Sequence, residues 1–322
     1  MNLPRMGLGC MSLSHGYGTP PPMEDGVRML QTALDEGVTF LDTATMYGGG
    51  RNEELVGRAL RGRRDSVILA SKGGMAPVDG VKKIDGRPAT LRAHVDASLR
   101  RLGVDHIDLY YLHRWDKTVP IGESVGALAE AVAAGKIGAI GLSEVSVARL
   151  REAQAVAPIA AVQNEYSLWT RNPELGMLDA TRADGVALVA FSPVARGFLA
   201  DAVHDVDALA NGDLRKINPR FLGDNWVSNL ALLPAWRSLV TGAGCTPAQL
   251  ALAWVLSRGE HVIPIPGSTN IAHVHENFTE VSVDPVALRR AGDLINHVTV
   301  TGPRYDANQS REVDAETFEA AA

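Results

Sequence analysis

Short apolar stretches alternate with longer amphipathic stretches along nearly the whole chain. Residues 23–37 illustrate the amphipathic kind, with Leu30 and Leu34 on one helical face, and the apolar run 38–42 follows directly. Apolar residues three or four positions apart are typical of a packed helix face, whereas short runs rich in β-branched residues are typical of strands buried on both sides. The pattern predicts eight strands, at residues 6–9, 38–42, 67–72, 107–113, 137–143, 160–165, 187–192 and 261–267.

One helical segment, just before the last strand, carries a clear start signal. Thr246 is followed by Pro247, and Gln249 stands three positions after Thr246. This spacing is typical of a capping box with proline at the first helical position, in which side chains bind the backbone N–H groups that the helix cannot satisfy. We therefore expect a helix that begins at Pro247.

Regular alternation of strands and helices predicts right-handed βαβ units and a parallel sheet. Eight units in 322 residues suit an α/β fold of the (β/α)₈ TIM-barrel type, as a single domain over 1–322 with a polar C-terminal tail from about 299. A doubly wound sheet is the alternative, but it favours a GxGxxG turn that leads promptly into a helix, and the glycine-rich segment 6–18 does not. The longest stretch predicted to be irregular runs from 192 to 229.

Composition narrows the class of protein further. The net charge of −6 and the scattered basic residues do not form the footprint of a nucleic-acid-binding protein. No apolar run approaches the length that spans a bilayer, and the first residues lack a signal-peptide core, so no membrane association is expected. The two cysteines, Cys10 and Cys245, predict no disulfide framework. A cytoplasmic location is the expectation.

Polar side chains stand where the predicted strands end. Barrel enzymes place their chemistry at the carboxyl ends of strands, so these positions are candidates for a site. Asp42 ends the second strand and Tyr47 lies on the loop beyond it. The later strands end in Lys72, His113, Ser143, the run Gln163–Glu165, and Phe191 with Ser192.

Four of these residues form a plausible proton-transfer set. Lys72 at a barrel mouth is costly to bury without an anion, and Asp42 on the neighbouring strand is its natural partner. By itself, the pair is as consistent with a purely structural ion pair as with part of a catalytic site. Tyr47 changes this balance, because a nearby ammonium group lowers the pKa of a phenol and makes it a better acid. His113 on the next strand can orient a carbonyl oxygen by a hydrogen bond.

The motifs that contain these residues resemble those of the aldo-keto reductase superfamily. The similarity is strongest to the bacterial and plant branch that reduces aldehydes and ketones, and to the related potassium-channel β subunits. Each motif alone is only moderately specific, but seven in the same order are highly specific. They are FLDTATMYGGGRNEELVGRAL (40–60), VILASKGG (67–74), IDLYYLHR (107–114), GLSE (141–144), VQNEYSLWTR (162–171), FSPVARGFL (191–199) and IPGSTNIAHVHENF (265–278).

The resemblance implies reduction of a small carbonyl compound by a nicotinamide dinucleotide without a Rossmann domain. Tyr47 would protonate the carbonyl oxygen, Lys72 would lower the pKa of Tyr47, Asp42 would hold Lys72, and His113 would orient the substrate. We also expect Trp115, an aromatic residue just after the LHR motif, to line the substrate pocket.

The resemblance also implies a set of cofactor contacts along the second half of the chain. Ser143 and Gln163 match residues that bind the nicotinamide carboxamide, and Phe191 stands where a ring-stacking tyrosine is common. The remaining implied contacts are Ser192, Arg196 and Gly197 at the pyrophosphate, Gly267, Ser268, Asn270 and His273 near the 2′-phosphate, and Glu276 and Asn277 at the adenine.

Three features depart from the family pattern, one of which is that only five residues precede Met6, where the family normally has a β-hairpin that closes the bottom of the barrel. The segment GSTNIAH at 267–273 has no lysine or arginine, which the family usually provides for the 2′-phosphate of NADPH. We therefore expect NADP(H) as cofactor with weakened discrimination, and NAD(H) as a second candidate. Glu144 stands where many relatives have asparagine. The alternative function is that of a cofactor-binding regulatory subunit resembling the channel β subunits, but the retention of all four candidate catalytic residues favours an enzyme.

Overall fold

The computed structural model describes residues 2–318. Ten strands and a series of helices alternate through this part of the chain, and all eight predicted strands are present. The strands are β1 (Leu8–Gly9), β2 (Phe40–Asp42), β3 (Ile68–Gly73), β4 (Met75–Val78), β5 (Val81–Ile84), β6 (Ile107–Leu112), β7 (Ile137–Ser143), β8 (Ile159–Glu165), β9 (Ala187–Phe191) and β10 (Val262–Pro264).

Twelve α-helices are present in the same described part. Their bounds are α1 (Met23–Asp35), α2 (Arg51–Ala59), α3 (Pro88–Leu102), α4 (Ile121–Ala133), α5 (Val147–Gln154), α6 (Met177–Asp184), α7 (Gly223–Leu230), α8 (Leu233–Ala243), α9 (Pro247–Leu256), α10 (Ile271–Phe278), α11 (Pro285–Leu294) and α12 (Ala307–Ser310). The capping box predicted for α9 is confirmed, with Thr246 and Gln249 each bonding the other's backbone. Within residues 2–318 no single helix has the length and apolarity to cross a membrane; one pair, 223–243 with 247–256, reaches them only jointly and is bent by 80°.

The eight predicted strands form one parallel sheet, in which adjacent strands follow one another along the chain. The two remaining strands, β4 and β5, form a separate hairpin. Backbone hydrogen bonds also connect the two edge regions of this sheet, since the Gly7 N–H donates to Pro264 O (3.0 Å) and the Gly9 N–H to Pro266 O (3.1 Å). The carboxyl ends of all eight strands therefore face one end of the fold.

Aromatic rings fill the space inside the curled sheet. Phe40 and Tyr111 are fully buried there among small and aliphatic side chains, with Leu3 packed against the same cluster. A Cβ atom on Gly7 would lie 2.3 Å from the Phe40 ring, and one on Gly141 would lie 2.3 Å from the Tyr111 ring. These glycines are required because the rings occupy the space that any side chain there would need.

The structure differs from the predicted organisation in two places. The stretch 192–229 is not wholly irregular, because α7 begins at Gly223 and short 3₁₀ turns precede it. The hairpin of β4 and β5 was not predicted, although Asp79 and Gly80, both with positive φ, form the turn. An Asp-Gly pair between short extended runs is a recognised hairpin signal, and here it lay in a segment with no apolar alternation.

The C-terminal tail, as far as residue 318, is part of the folded structure. The N–H of Asp314 donates to Glu144 O (3.0 Å), and the Ser146 hydroxyl donates to the Asp314 carboxylate (2.7 Å). The N–H of Val147, at the start of α5, donates to the Glu316 carboxylate (2.7 Å). The polar tail thus uses its charges to bind the loop after β7 at the carboxyl end of the sheet.

Candidate active site

A cavity of about 560 Å³ opens at the carboxyl ends of the parallel strands. This is the end where parallel α/β folds assemble their sites. Most of the side chains singled out from the sequence line it: Asp42, Tyr47, His113, Ser143, Gln163, Phe191, Ser192, Arg196, Gly197, Gly267, Ser268, His273, Glu276 and Asn277. The structure therefore brings together residues that are spread over some 235 positions of the chain.

Lys72 lies beneath the cavity and is fully buried. Its Nζ pairs with the Asp42 carboxylate and donates to Thr43 O (3.0 Å) and to the Tyr47 hydroxyl (3.2 Å). The other oxygen of Asp42 accepts a hydrogen bond from Nε2 of Gln163 (2.8 Å). A buried ion pair with this many supporting hydrogen bonds has little freedom to rearrange, so the ammonium group is held against the phenol.

The pKa of Tyr47 is raised above the ordinary value of a phenol. Burial is the largest cause, and the ammonium group of Lys72 opposes it without overcoming it. The effect of Lys72 itself is to lower the pKa of Tyr47, as predicted, but burial raises that pKa by more. The reason is that burial at the carboxyl ends of the strands desolvates the phenolate as well as bringing the cation near. Tyr47 thus carries its proton at neutral pH.

His113 faces Tyr47 edge-on, with ring centroids 5.8 Å apart and planes at 87°. Burial lowers the pKa of its imidazole well below the ordinary value, and the nearby guanidinium of Arg114 and ammonium of Lys72 lower it further. Its Nδ1 atom is buried without a partner among the described residues. A neutral imidazole can donate one hydrogen bond and can therefore orient a carbonyl. It cannot act as an acid in the way that an imidazolium ion does.

The loop after β9 has an unusual backbone. Ser192 (φ 51°), Ala195 (51°) and Arg196 (58°) all adopt the left-handed conformation, and Gly197 (92°) follows them. Non-glycine residues hold this conformation only where surrounding contacts enforce it, and such strain is concentrated at functional sites. Arg196 itself donates to the Tyr17 hydroxyl (3.1 Å) and the Glu165 carboxylate (3.2 Å).

The far end of the cavity lies between β10 and α10. The backbones of Gly9 and Gly267 approach so closely here that a Cβ atom on Gly267 would lie 2.7 Å from Gly9 O. Glu276 accepts a hydrogen bond from the Thr246 hydroxyl (2.6 Å), which connects α10 to the start of α9. Glycine backbone, hydroxyls and the acid and amide of Glu276 and Asn277 make a lining that fits a polar, extended ligand such as a dinucleotide.

Besides Lys72, which lies beneath the cavity, two predicted site residues do not line it. The indole N–H of Trp115 donates to Val119 O (2.9 Å), and its ring stacks under the Arg149 guanidinium. The assignment of Trp115 to the substrate pocket is corrected accordingly. Asn270 is also absent from the lining, because its side chain caps α10 by accepting from the Ala272 N–H (3.0 Å). The side-chain amide of Asn270, which the sequence analysis assigned to ligand binding, is used instead to cap the start of α10.

Several lining residues were missed by reasoning from the sequence. Arg114, Lys82, Tyr305 and Glu312 all face the cavity. Arg114 had a signal, since it follows His113 directly within the LHR motif. The hairpin lysine and the two tail residues had none, because no local pattern indicates that β5 and the C-terminal tail meet over the cavity.

A buried cluster of charges supports the site from behind. Glu144, with no exposed side-chain surface, forms a two-bond pair with Arg304 of the tail. Burial raises the pKa of Glu144, but Arg304, Arg114 and the Glu165 N–H together outweigh it, so the pKa lies below its ordinary value. Glu144, which stands where many relatives have asparagine, therefore has a structural partner in the tail.

Comparison with known proteins agrees with this arrangement. The model of the Aldo/keto reductase family matches residues 5–286, and the chain belongs to that family. It is 38% identical to aldo-keto reductase yakc [NADP(+)] from Schizosaccharomyces pombe, over 98% of this chain and 95% of the yeast protein.

Solved structures show the same relationship. The glycerol dehydrogenase from Gluconobacter oxydans is 31% identical, with a TM-score of 0.82 and coverage of 93% of each chain. An aldo/keto reductase from Klebsiella pneumoniae in complex with NADP and acetate is 28% identical, with a TM-score of 0.71 and coverage of 94% of this chain and 95% of that one. These relatives lend no support to the alternative of a channel-type regulatory subunit.

Proposed function

We propose that the protein is an NADP(H)-dependent oxidoreductase that reversibly reduces an aldehyde or ketone to an alcohol. The observation that carries the proposal is the contact of Lys72 Nζ with the Tyr47 hydroxyl (3.2 Å), with Asp42 behind the lysine. A protonated phenol at the edge of a cavity, held by a buried cation, is a proton donor that needs no other acid. His113 beside it completes the four-residue set.

The roles of these residues follow from their geometry. When bound, a reduced nicotinamide supplies the hydride that adds to the carbonyl carbon. Tyr47 gives its proton to the carbonyl oxygen as negative charge develops there, and Lys72 stabilises the phenolate that remains. Asp42 keeps the ammonium group charged and in place, and His113 orients the carbonyl by a hydrogen bond. In alcohol oxidation the same proton returns to Tyr47.

The lining residues and the relatives support NADP(H) as the cofactor. Ser143 and Phe191 would contact the nicotinamide, and the strained loop from Ser192 to Gly197 would contact the pyrophosphate. Glu276 and Asn277 would contact the adenosine. Gln163 remains able to accept a hydrogen bond through its amide oxygen while its Nε2 binds Asp42. The yeast relative is named for NADP(+), and the Klebsiella protein was solved with NADP; nothing comparable supports NAD(H).

Discrimination between the two cofactors is expected to be weak. Three residues, Ser268, Thr269 and His273, line the end of the cavity where the family binds the 2′-phosphate of NADPH. None of them carries a permanent positive charge. The ratio of kcat/KM for NADPH to that for NADH should lie below about a thousandfold, and Thr269→Arg should raise it by about tenfold or more through a charged bidentate contact. A ratio above about a thousandfold in the unaltered protein would refute the prediction of weak discrimination between NADPH and NADH.

The rate of carbonyl reduction should be insensitive to pH around neutrality. The pKa of His113 lies well below its ordinary range, so the ring stays neutral, and the pKa of Tyr47 lies above its own, so the phenol stays protonated. We expect kcat/KM at saturating NADPH to be flat from about pH 6.5 to 9 and to fall only as Tyr47 ionises. An inflection near pH 6.5 that disappears in His113→Gln would contradict this assignment.

A panel experiment tests the proposed function as a whole. NADPH oxidation at 340 nm would be followed with aromatic aldehydes, sugars and cyclic ketones, and NADP⁺ reduction with the matching alcohols. Turnover of any class supports the proposal. Tight retention of NADPH with no turnover across the panel would refute it and would favour the regulatory alternative.

We further propose that the sheet closes into a (β/α)₈ barrel and that the chain, with its tail from about 299, forms one domain. The hydrogen bonds from Gly7 and Gly9 to the region of β10 support closure. A single cooperative unfolding transition, unchanged between far-ultraviolet and tryptophan signals, is the expected result.

A further inference from the structure

We propose that Arg114 is a specificity-determining residue that recognises a carboxylate on the carbonyl substrate. The inference deepens the proposed function and rests on it. Reduction of keto acids, or of aldehydes that carry an acid group, is the activity that follows.

Two cations of the cavity lining, Arg114 and Lys82, act on the pKa of His113, and they differ in their partners. Lys82, on β5, forms an ion pair with Glu312 of the tail, so its charge is already compensated. Arg114 has no carboxylate within ion-pair distance among residues 2–318. Glu144, whose pKa Arg114 helps to lower, forms its ion pair with Arg304 instead.

The orientation of Arg114 is determined by one of its nitrogens. Nη1 donates to His113 O (2.8 Å) and to the Ser143 hydroxyl (3.2 Å), and both acceptors are neutral. Within the described residues, Nε and Nη2 have no hydrogen-bond partner. These two nitrogens form the edge of a guanidinium that matches the two oxygens of a carboxylate.

Arg114 is also close to the reacting groups. It directly follows His113 and, after burial, is the largest influence on the low pKa of that ring; it also opposes the raised pKa of Tyr47. A charge that acts on both groups lies within electrostatic reach of the carbonyl they would bind. A neutral substituent placed there would leave a half-buried guanidinium desolvated and unpaired, which disfavours it relative to a carboxylate.

The test uses phenylglyoxylate and its methyl ester, a substrate pair that differs in the carboxylate charge and in one methyl group. The ratio of kcat/KM for the acid to that for the ester is measured in the unaltered protein, Arg114→Met and Lys82→Met. Because both substrates pass through the same proton transfer, a general loss of activity cancels in the ratio. We expect the ratio to fall by about tenfold or more in Arg114→Met and to stay unchanged in Lys82→Met. An unchanged ratio in Arg114→Met, or an equal fall in both variants, overturns the inference.

Two further measurements keep the outcome decisive. Arg114→Lys retains the charge without the planar edge and should give an intermediate ratio. If Arg114→Met turns over neither substrate, calorimetry of mandelate and methyl mandelate binding to the NADP⁺-saturated protein replaces the rates, and the preference for mandelate should be lost. A raised Kd for NADPH in Arg114→Met with an unchanged acid-to-ester preference assigns the residue to the cofactor and refutes the inference. Failure of the unaltered protein to reduce any carbonyl refutes the proposed function, whereas the mandelate comparison still tests Arg114.

Discussion

Tyr47→Phe is expected to lower kcat for carbonyl reduction by about 10²- to 10⁴-fold. The substitution removes one hydroxyl group and with it the proposed proton donor. The phenyl ring that remains can still pack edge-on against His113, and Lys72 keeps its bonds to Asp42 and Thr43 O. The loss should therefore fall on the chemical step, measured as single-turnover NADPH oxidation with a carbonyl substrate that the unaltered protein reduces.

Cofactor binding is the control for this variant. The Kd for NADPH, measured by quenching of intrinsic fluorescence, should be the same in Tyr47→Phe and in the unaltered protein, because the hydroxyl contacts Lys72 and not the distant loop at 192–197. Full activity in the variant would show that the proton comes from elsewhere. Weakened NADPH binding with an unchanged chemical step would move Tyr47 from catalysis to cofactor binding.

Arg304→Met is expected to lower the free energy of unfolding by about 3–5 kcal/mol. The substitution leaves the carboxylate of Glu144 buried without the guanidinium that now binds it through two hydrogen bonds. Glu165, beside it, would lose a nearby positive charge as well. Urea unfolding measured by circular dichroism gives the difference.

A second ion pair of the same tail provides the matched control. Lys82 and Glu312 are about a third and a quarter exposed, so Lys82→Met should change the free energy of unfolding by no more than about 1 kcal/mol. The double variant Glu144→Gln with Arg304→Met should recover part of the loss, because no uncompensated charge remains. Equal costs for Arg304→Met and Lys82→Met would contradict the role of burial.

The effect of Arg304→Met should also depend on pH in a defined direction. The pKa of Glu144 is lower in the folded protein than its ordinary value. A depressed pKa means that the pair stabilises the fold fully above the ordinary carboxyl range, and that this contribution is lost as pH falls through the folded value. In the variant, burial without Arg304 raises the pKa of Glu144, so the gap in stability should narrow as pH falls from that raised pKa towards the depressed pKa of the unaltered protein.

The order of strands and the location of the site could be predicted from local pattern. Each parallel strand is a short apolar run that a helix of different periodicity separates from the next, so the eight runs were recognisable one at a time. Once the strands are parallel, their carboxyl ends meet, and Asp42, Lys72 and His113 must gather there with Tyr47 on its loop. The capping box of α9 was likewise predictable, since all its parts lie within four positions.

Local pattern failed where a polar group had more than one use. Asn270 could serve a phosphate or a helix start, and the structure assigns it to the cap of α10. Trp115 could face a ligand or a neighbouring cation, and it stacks with Arg149. In each case the competing partner is decided by which surfaces the packing of helices brings near.

The sequence by itself determined the eight strands, through short-range periodicity, and the family, through the resemblance of its motifs. It also indicated that Asp42, Lys72 and His113 meet at parallel strand ends beside Tyr47. Only the tertiary structure decided the net pKa of Tyr47, which balances burial against Lys72, and the pairing of Glu144 with Arg304, 160 positions away. It alone also showed that Lys82 has a carboxylate partner over the cavity and Arg114 has none among the described residues. Charge compensation across such distances depends on the folded arrangement of the tail, and no local pattern encodes it.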